Sequence, residues 1–366
     1  MSRAVDRIVA EVREAIWNRR GLHGWAGWLA LQPASALFGV GVGLRNLSYR
    51  VGILRTHRAG IPVVSVGNLS VGGTGKTPMT LWLAQELAAT GVPVGIVLRG
   101  YAGSARGVTV VSQGAGPEVS VDVAGDEPVM LAKCFRGPVL TAPRRIDAAR
   151  RAQELGCRLI VLDDGFQHRA LARDFDLVLV DDRARTLLPA GPMRECRRAL
   201  TRAHAIAWVR RSGDEPAPGT EGLAARLTQP IFPVRFAARA LVESQAGVWH
   251  ELPVQRLSGR RVATLVGIAN PTRFYATVRQ WEAQIHDVFE FPDHYHYRTA
   301  DWQRISRQTR DVDLIVTTEK DLVKLEAFPF ARGKLVALRI RPEIDGADAL
   351  VRLIMERTGL VPGRVQ

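Results

Sequence analysis

Four short stretches of this 366-residue chain carry side chains of the types and spacings that chemistry requires. The first is "VVSVGNLSVGGTGKTPMT", Val63 to Thr80, which fits G-x-x-x-x-G-K-[ST] except that Ser70 stands where the first glycine is usual. A loop of this kind, set between a strand and a helix, wraps a polyphosphate with backbone N–H groups and the helix N-terminus. Ser70, Gly72, Gly73, Thr74, Gly75, Lys76 and Thr77 are the candidate nucleotide contacts, with Lys76 reaching the terminal phosphates and Thr77 a ligand for Mg²⁺. Ser70 suits its place if its φ is negative. The loop alone permits a kinase, a hydrolysing switch or a partitioning ATPase. The sequence has no N-K-x-D guanine-reading motif, and Val71 stands where partitioning ATPases have a lysine before the paired glycines.

The second stretch, "LIVLDDGFQH", delivers Asp163 and Asp164 to the end of an apolar strand, where a carboxylate holds Mg²⁺ against the β- and γ-phosphates. Adjacent carboxylates repel unless a cation lies near, so the pair says more than one acid would. The structural alternative is a helix or turn cap. An alcohol acceptor also needs a group to take its proton. "AGDEP" offers Asp126 and Glu127 in an expected loop, and "FPDHYHY" offers Asp293, His294 and His296. Each is weak alone: acidic turns are commonly just solvated, and a metal site at His294 and His296 lacks a third ligand.

These residues need a scaffold. From Ile61 onward, strand patterns such as "IPVVSVGN", "VPVGIVLRG", "CRLIVLDDG" and "FDLVLVDD" alternate with helical ones such as "TPMTLWLAQELAAT", which Gly91 ends. That alternation predicts an α/β fold of the P-loop type, three layers with a mainly parallel sheet and the ligand beyond the carboxyl ends of the strands. "RSGDEPAPGTEG", Arg211 to Gly222, reads as a surface excursion. "PIFPVRFAARALVE" with "VWHELPV" reads as an extended hairpin, after which "RRVATLVGIAN" starts a second α/β pattern. The expected organisation is residues 1–50, an N-terminal helical region; 51–245, the nucleotide-binding domain; and 246–366, a smaller α/β domain joined by the hairpin-like linker and contributing to the cleft.

The formal net charge of +14 favours anionic partners: nucleic acid, acidic lipid or a phosphorylated substrate. Three widely separated cysteines, with no C-x-x-C pair, point to a reducing compartment. The first residues place Val5, Ile8, Val9, Val12 and Ile16 at helical spacing, followed by Trp17, Trp25 and Trp28 with Arg19 and Arg20. This reads as an amphipathic helix, packed on its own domain or lying at a lipid interface. Gly21 to Leu44 holds no Asp, Glu, Lys or Arg and is long enough to span a bilayer. Gln32, Pro33, Ser35 and six glycines are expected to break it into two short helices rather than one spanning helix.

With these motifs assembled, the chain resembles the tetraacyldisaccharide 4′-kinase family, the lipid A 4′-kinases. "VGNLSVGGTGKTP", "RGY", "GDEP", "DDGFQH", "PAGPMRE", "FPDHY" and "TTEKD" follow in the family's order over nearly the whole chain, and family loops also have serine at the place of Ser70. The resemblance implies a peripheral enzyme on the cytoplasmic face of the inner membrane of a Gram-negative bacterium. Such an enzyme uses ATP and Mg²⁺ to phosphorylate the 4′-hydroxyl of a tetraacyldisaccharide 1-phosphate. It implies Asp126 as general base with His294 as its partner, and Asp163, Asp164 and Glu195 with Thr77 around the metal. Gln167 and Arg194 fall on the nucleotide side, with His168 in support, and Arg99 and Tyr101 become substrate contacts. "TTEKD" has no role derivable from sequence beyond a cap by Thr318 with Asp321. No nucleic-acid partner and no obligate protein partner is expected. The rival reading is a membrane-associated P-loop ATPase switch acting on a protein partner.

Overall fold

The computed structural model describes residues 2–181, 186–210, 227–268, 271–330 and 333–360; the excursion at Arg211 to Gly222 and the side chains of residues 2–8 and 10 lie outside the description. Strands β1 (Val63–Asn68), β2 (Val94–Leu98), β4 (Val139–Thr141), β5 (Leu159–Asp163), β6 (Phe175–Val180) and β7 (Ala205–Val209) are parallel and almost wholly buried. β3 (Thr109–Ser112) closes one edge antiparallel to β4. Near-continuous apolar runs suit strands covered on both faces. Val64, Ile96 and Leu159 face one core with Leu83 and Leu87 of helix α3 (Lys76–Ala89), while Val63, Val97 and Ile160 face another with Ile146 of α6 (Arg145–Glu154). Successive residues point to opposite faces, so each strand feeds two cores.

The 15-residue strand β8 (Ile231–Gln245) carries the sheet into the second half. Its start pairs parallel with β7 through Ile231 to Val234, and its end turns at Ala246 and Gly247 into β9 (Val248–Pro253), the expected hairpin. Beyond it the order is β13 (Leu335–Ile344), β12 (Leu314–Thr318), β10 (Arg261–Val266) and β11 (Gln284–Glu290). β8 and β13 pair antiparallel from Val234 with Ile344 to Val242 with Ala337, so a two-stranded ribbon crosses between the halves. The closing helix, Ala347–Thr358, returns to the first half, where Leu350, Ile354 and Met355 join the core of Val64, Leu83 and Leu87.

The N-terminal region corrects one expectation. α1 (Ser2–Trp17) folds back on α2, a single helix from Gly21 to Arg50 with Pro33 inside it, not two short helices. Several glycines are contact points rather than breaks. A Cβ at Gly24 would lie 2.5 Å from the Ala15 carbonyl oxygen, one at Gly27 2.9 Å from Ile16, and one at Gly39 2.9 Å from Leu187. The helix approaches its neighbours closely because these positions have no side chain.

One face of α2 is seated on the body. Trp28 reaches Thr186, Ser35 donates to the Leu187 carbonyl and accepts from the Ala190 N–H, and Asn46 donates to Glu195. The opposite face exposes Leu22, Trp25, Leu29, Leu37, Val40, Leu44 and Leu47, recurring every three or four residues on either side of Pro33.

Candidate active site

β1 ends in the phosphate loop, and α3 starts at Lys76, so the loop's amides precede a 14-residue helix N-terminus. Gly75 has φ +88°, a conformation that costs an L side chain, and the Phe236 ring of β8 sits where a Cβ would project, at 2.3 Å. The ribbon between the halves therefore touches the loop directly. Ser70 is buried, bridges to Met193 and is not among the residues with positive φ, which meets the condition set for serine there. The Thr74 hydroxyl accepts from Asn68 at 2.7 Å, bracing the loop from within.

Asp163 closes β5 beneath Thr77 and Thr80, whose hydroxyls lie 3.2 and 2.9 Å from its carboxylate. Burial pushes its carboxyl up to about 7, with the negative fields of Glu127 and Asp164 adding to the effect and Lys76 opposing it. The place is short of positive charge and offers hard oxygen donors, the Asp163 carboxylate and the Thr77 hydroxyl. That chemistry fits Mg²⁺, which takes one or two carboxylates and completes its shell with phosphates and water. Asp164, at φ +51°, is spanned by Arg194 at 2.8 and 2.9 Å and faces Lys76 at 3.7 Å. Burial resists its ionisation, but those two cations outweigh it and lower its pKa. Gln167 donates to the Asn68 carbonyl at 2.8 Å and accepts from Arg194 at 3.4 Å, tying β1 to the acid pair.

The buried Glu195 carboxylate accepts from Arg202 at 2.9 and 3.1 Å and from Asn46 at 2.8 Å, which ties it to α2. Among the described residues no group of three His, Cys, Asp or Glu is placed to hold a metal ion by itself.

Asp126 and Glu127 do not lie in a loop; they open α5 (Asp126–Cys134), because Gly125 at φ +94° turns the chain directly from the short helix Val121–Ala124. Asp126 is 4% exposed, and His294, from the loop after β11, places Nδ1 3.0 and 3.1 Å from its two oxygens. Burial opposes the Asp126 charge, yet the His294 hydrogen bond and the ammonium groups of Lys320 and Lys324 hold its carboxyl well below the usual range. The Tyr101 ring lies 5.2 Å from the His294 ring and is largely exposed, so it borders the same opening. His296 points elsewhere, 4.0 Å from Asp122.

Sequence reasoning missed three cations here. Lys320 and Lys324 sit on the helix Glu319–Leu325, which Thr318 caps by accepting from the Asp321 N–H. The cap was foreseen; the lysines beyond it were not, although their i,i+4 spacing puts them on one helix face. Arg145, at the start of α6, is 8% exposed with no hydrogen-bond partner for Nε, and it feels Arg99 on one side and Asp164 and Asp163 on the other. Burial and the like charge of Arg99 lower its pKa to about 10, so the pair forms an under-compensated positive corner beside the acid pair. Burial and neighbouring arginines likewise lower His168 to about 4, keeping it neutral.

Comparison with known proteins identifies the family. Residues 27–358 match the family described as tetraacyldisaccharide-1-P 4'-kinase. The chain is 41% identical over 357 residues to the tetraacyldisaccharide 4'-kinase of Anaeromyxobacter dehalogenans strain 2CP-1, covering 92% of this chain and 93% of that one. It is 38% identical over 347 residues to the enzyme of the same name from Syntrophus aciditrophicus, with 90% and 92% covered. A crystal structure of LpxK from Aquifex aeolicus in complex with ATP superposes with a TM-score of 0.76 at 30% identity, covering 90% of this chain and 99% of that one. By this match over nearly its whole length, the chain belongs to the tetraacyldisaccharide-1-P 4'-kinase family.

Proposed function

We propose that this chain transfers the γ-phosphoryl group of ATP to the 4′-hydroxyl of a tetraacyldisaccharide 1-phosphate, with Asp126 as the base. The observation that carries the reading is the Asp126–His294 contact, 3.0 Å across the two halves, opening the helix whose next residue, Glu127, shares an electrostatic field with Lys76 and Asp163. A proton acceptor thus stands beside a phosphate loop, which a switch that only hydrolyses ATP does not need.

In this reading the loop amides, Lys76 and the helix N-terminus hold the phosphates, and Arg194 fixes Asp164 beside Lys76. Thr77 and Asp163 would hold Mg²⁺, which supplies charge neutralisation between the β- and γ-phosphates. Asp126 takes the 4′-hydroxyl proton as the new O–P bond forms, the bond from the γ-phosphorus to the β–γ bridging oxygen breaks, and ADP leaves. Arg99, Tyr101 and Arg145 suit an anionic sugar substrate. Positioning and charge supply most of the rate, with the base adding about 10² to 10⁴. We further take residues 51–245 and 246–366 as two lobes that close over the substrates along the β8–β13 ribbon.

The enzyme would work from the membrane surface, on the cytoplasmic side where ATP is found. By length and composition α2 is apolar enough to cross a bilayer. Crossing would strip Trp28, Ser35 and Asn46 from Thr186, Leu187 and Glu195, so a helix lying in the interface with Leu22, Leu29, Leu37 and Leu44 in lipid is favoured. Arg19 stacks 4.2 Å above Trp28 and 5.2 Å from Trp25, a pairing of cation and indole suited to headgroup depth.

The test is transfer of label from γ-labelled ATP to tetraacyldisaccharide 1-phosphate in detergent with Mg²⁺, wild type against Lys76→Ala. Labelled lipid, lost in the variant, is expected. ATP consumption that proceeds equally without the lipid would overturn the kinase reading in favour of the switch.

A further inference from the structure

The helix Glu319–Leu325 is built to do more than cap itself. Its Asp321 is fully buried and accepts from Tyr297, Thr318 and the Gly267 amide, which fixes the helix on the second half. Glu326 pairs with Lys133 of α5 at 2.8 Å and accepts from Trp249, and Glu319, seven residues earlier on the same face, pairs with Arg339, which also donates to Cys134. That face holds the helix against α5 from the other half. The adjoining face carries Lys320 and Lys324 towards the dyad. The Lys320 Nζ lies 2.7 Å from Asp293, 3.2 Å from His294 Nε2, 3.9 Å from Asp126 and 3.8 Å from Glu127.

An ammonium group has only donors. A hydrogen bond from Lys320 to Nε2 therefore requires that Nε2 carry no proton, leaving the proton on Nδ1 to be donated to Asp126. We propose that Lys320 is a positioning residue of the phosphoryl transfer: it holds His294 neutral, with the proton on Nδ1 and the ring aimed at Asp126. A doubly protonated ring would set an N–H against the ammonium group.

The groups facing His294 are Asp126 from α5, Lys320 from the lysine helix, Asp293 in its own loop and the Tyr101 ring from the loop after β2. Lys324 stands behind Asp126 at 3.4 Å. The imidazole pKa is raised overall: the hydrogen bond to Asp126 draws it up, against burial and Lys320, which pull it down. Lys320 itself stays charged: burial works against it, but Asp126, Glu127 and Asp293 together raise its pKa. An Asp–His pair left alone would more readily take up a proton from solvent and become a carboxylate–imidazolium ion pair, whose carboxylate is a poorer base.

The inference rests on the kinase reading, but its test reads the ring directly and stands if no transfer is found. Full-length protein labelled with ¹⁵N in its eight histidines would be compared as wild type, Lys320→Met and Lys320→Arg, with His294→Gln identifying the signal by its loss. At about pH 8, above the ordinary imidazole range, wild type should show a neutral ring protonated on Nδ1. In Lys320→Met that pattern should give way to the other tautomer or to imidazolium, and the titration midpoint should rise. Turnover should fall between about 10- and 100-fold with KM for ATP unchanged, and Lys320→Arg should restore most of both. A His294 signal and midpoint unchanged in Lys320→Met would overturn the assignment, even if activity fell. Should the methionine variant fail to fold, Lys320→Gln carries the same comparison.

Discussion

Replacing Asp126 by asparagine tests the site at its centre. The amide is nearly isosteric, and its oxygen still accepts from His294 Nδ1, so the geometry survives while basicity is lost. Removing a base should lower kcat by about 10² to 10⁴, or roughly 3 to 5 kcal/mol in the barrier. The same change removes the negative charge that Lys324 approaches at 3.4 Å and Lys320 at 3.9 Å. A hydrogen bond to a charged group contributes about 1.5–3 kcal/mol. Because Lys324 keeps Asp321 and Lys320 keeps Asp293, on the order of 2 kcal/mol of stability should be lost, short of unfolding. Among the described residues Asp126 bonds and pairs with Glu127, His294, Lys320 and Lys324 and not with the phosphate loop, so the Kd for ATP should stay within about threefold. The assays are lipid phosphorylation at saturating substrates, ATP titration and thermal melting. Turnover within about threefold of wild type would refute the base assignment. A fall in turnover matched by an equal fall in ATP affinity would show that Asp126 serves binding instead.

Glu195→Gln should leave the Mg²⁺ dependence of turnover unchanged while lowering Tm, since its partners are Arg202 and Asn46; a raised Mg²⁺ requirement would place Glu195 at the metal. Gly75→Ala should weaken ATP binding by tenfold or more, about 1.4 kcal/mol, because both φ +88° and the Phe236 ring oppose a methyl group; an ATP Kd equal to wild type would refute this. His168, lowered to about 4 in the fold, is harder to protonate there than in the unfolded chain, near 6.5. Stability should therefore fall as pH drops from about 6.5 towards 4, and this part of the acid loss should be absent in His168→Gln melts. Asp126 acts in a different window: its depressed pKa gives stability that is present above the unfolded carboxylate value and lost only as pH falls through the folded one.

Much of the site was legible in sequence because its chemistry is local. Gly72 to Thr77 form one turn, and Asp163 ends one apolar strand, so residue type and spacing carry the meaning. The dyad was legible only as two separate acidic or histidine-bearing stretches, joined by family resemblance. Lys320 and Lys324 were not legible, because their partner Asp126 lies 198 residues from Lys324 and lysines on a short helix look like any solvated face. Arg145 was hidden in the same way within a helix of three arginines that reads as basic surface. The bonds of Glu195 to Arg202 and to Asn46, 149 residues away in sequence, were not legible either. α2 shows the converse error: Gly24, Gly27 and Gly39 count as helix breakers by propensity and are sites of close approach in the packed molecule.

The return of the closing helix to the first half bears on how the molecule is made. Leu350, Ile354 and Met355 complete the core that Val64, Leu83 and Leu87 begin, and Thr90 at the end of α3 touches Met355. A ribosome finishes the phosphate loop and its supporting strands long before it reaches Ala347. Folding during synthesis usually runs from the N-terminus domain by domain. Here the core behind the loop stays incomplete until the second half has been made and its last helix docks. A chain cut short within the second half would hold the whole phosphate loop and lack the Leu350, Ile354 and Met355 side chains that finish the core behind it, so an incomplete product is expected to bind ATP less well.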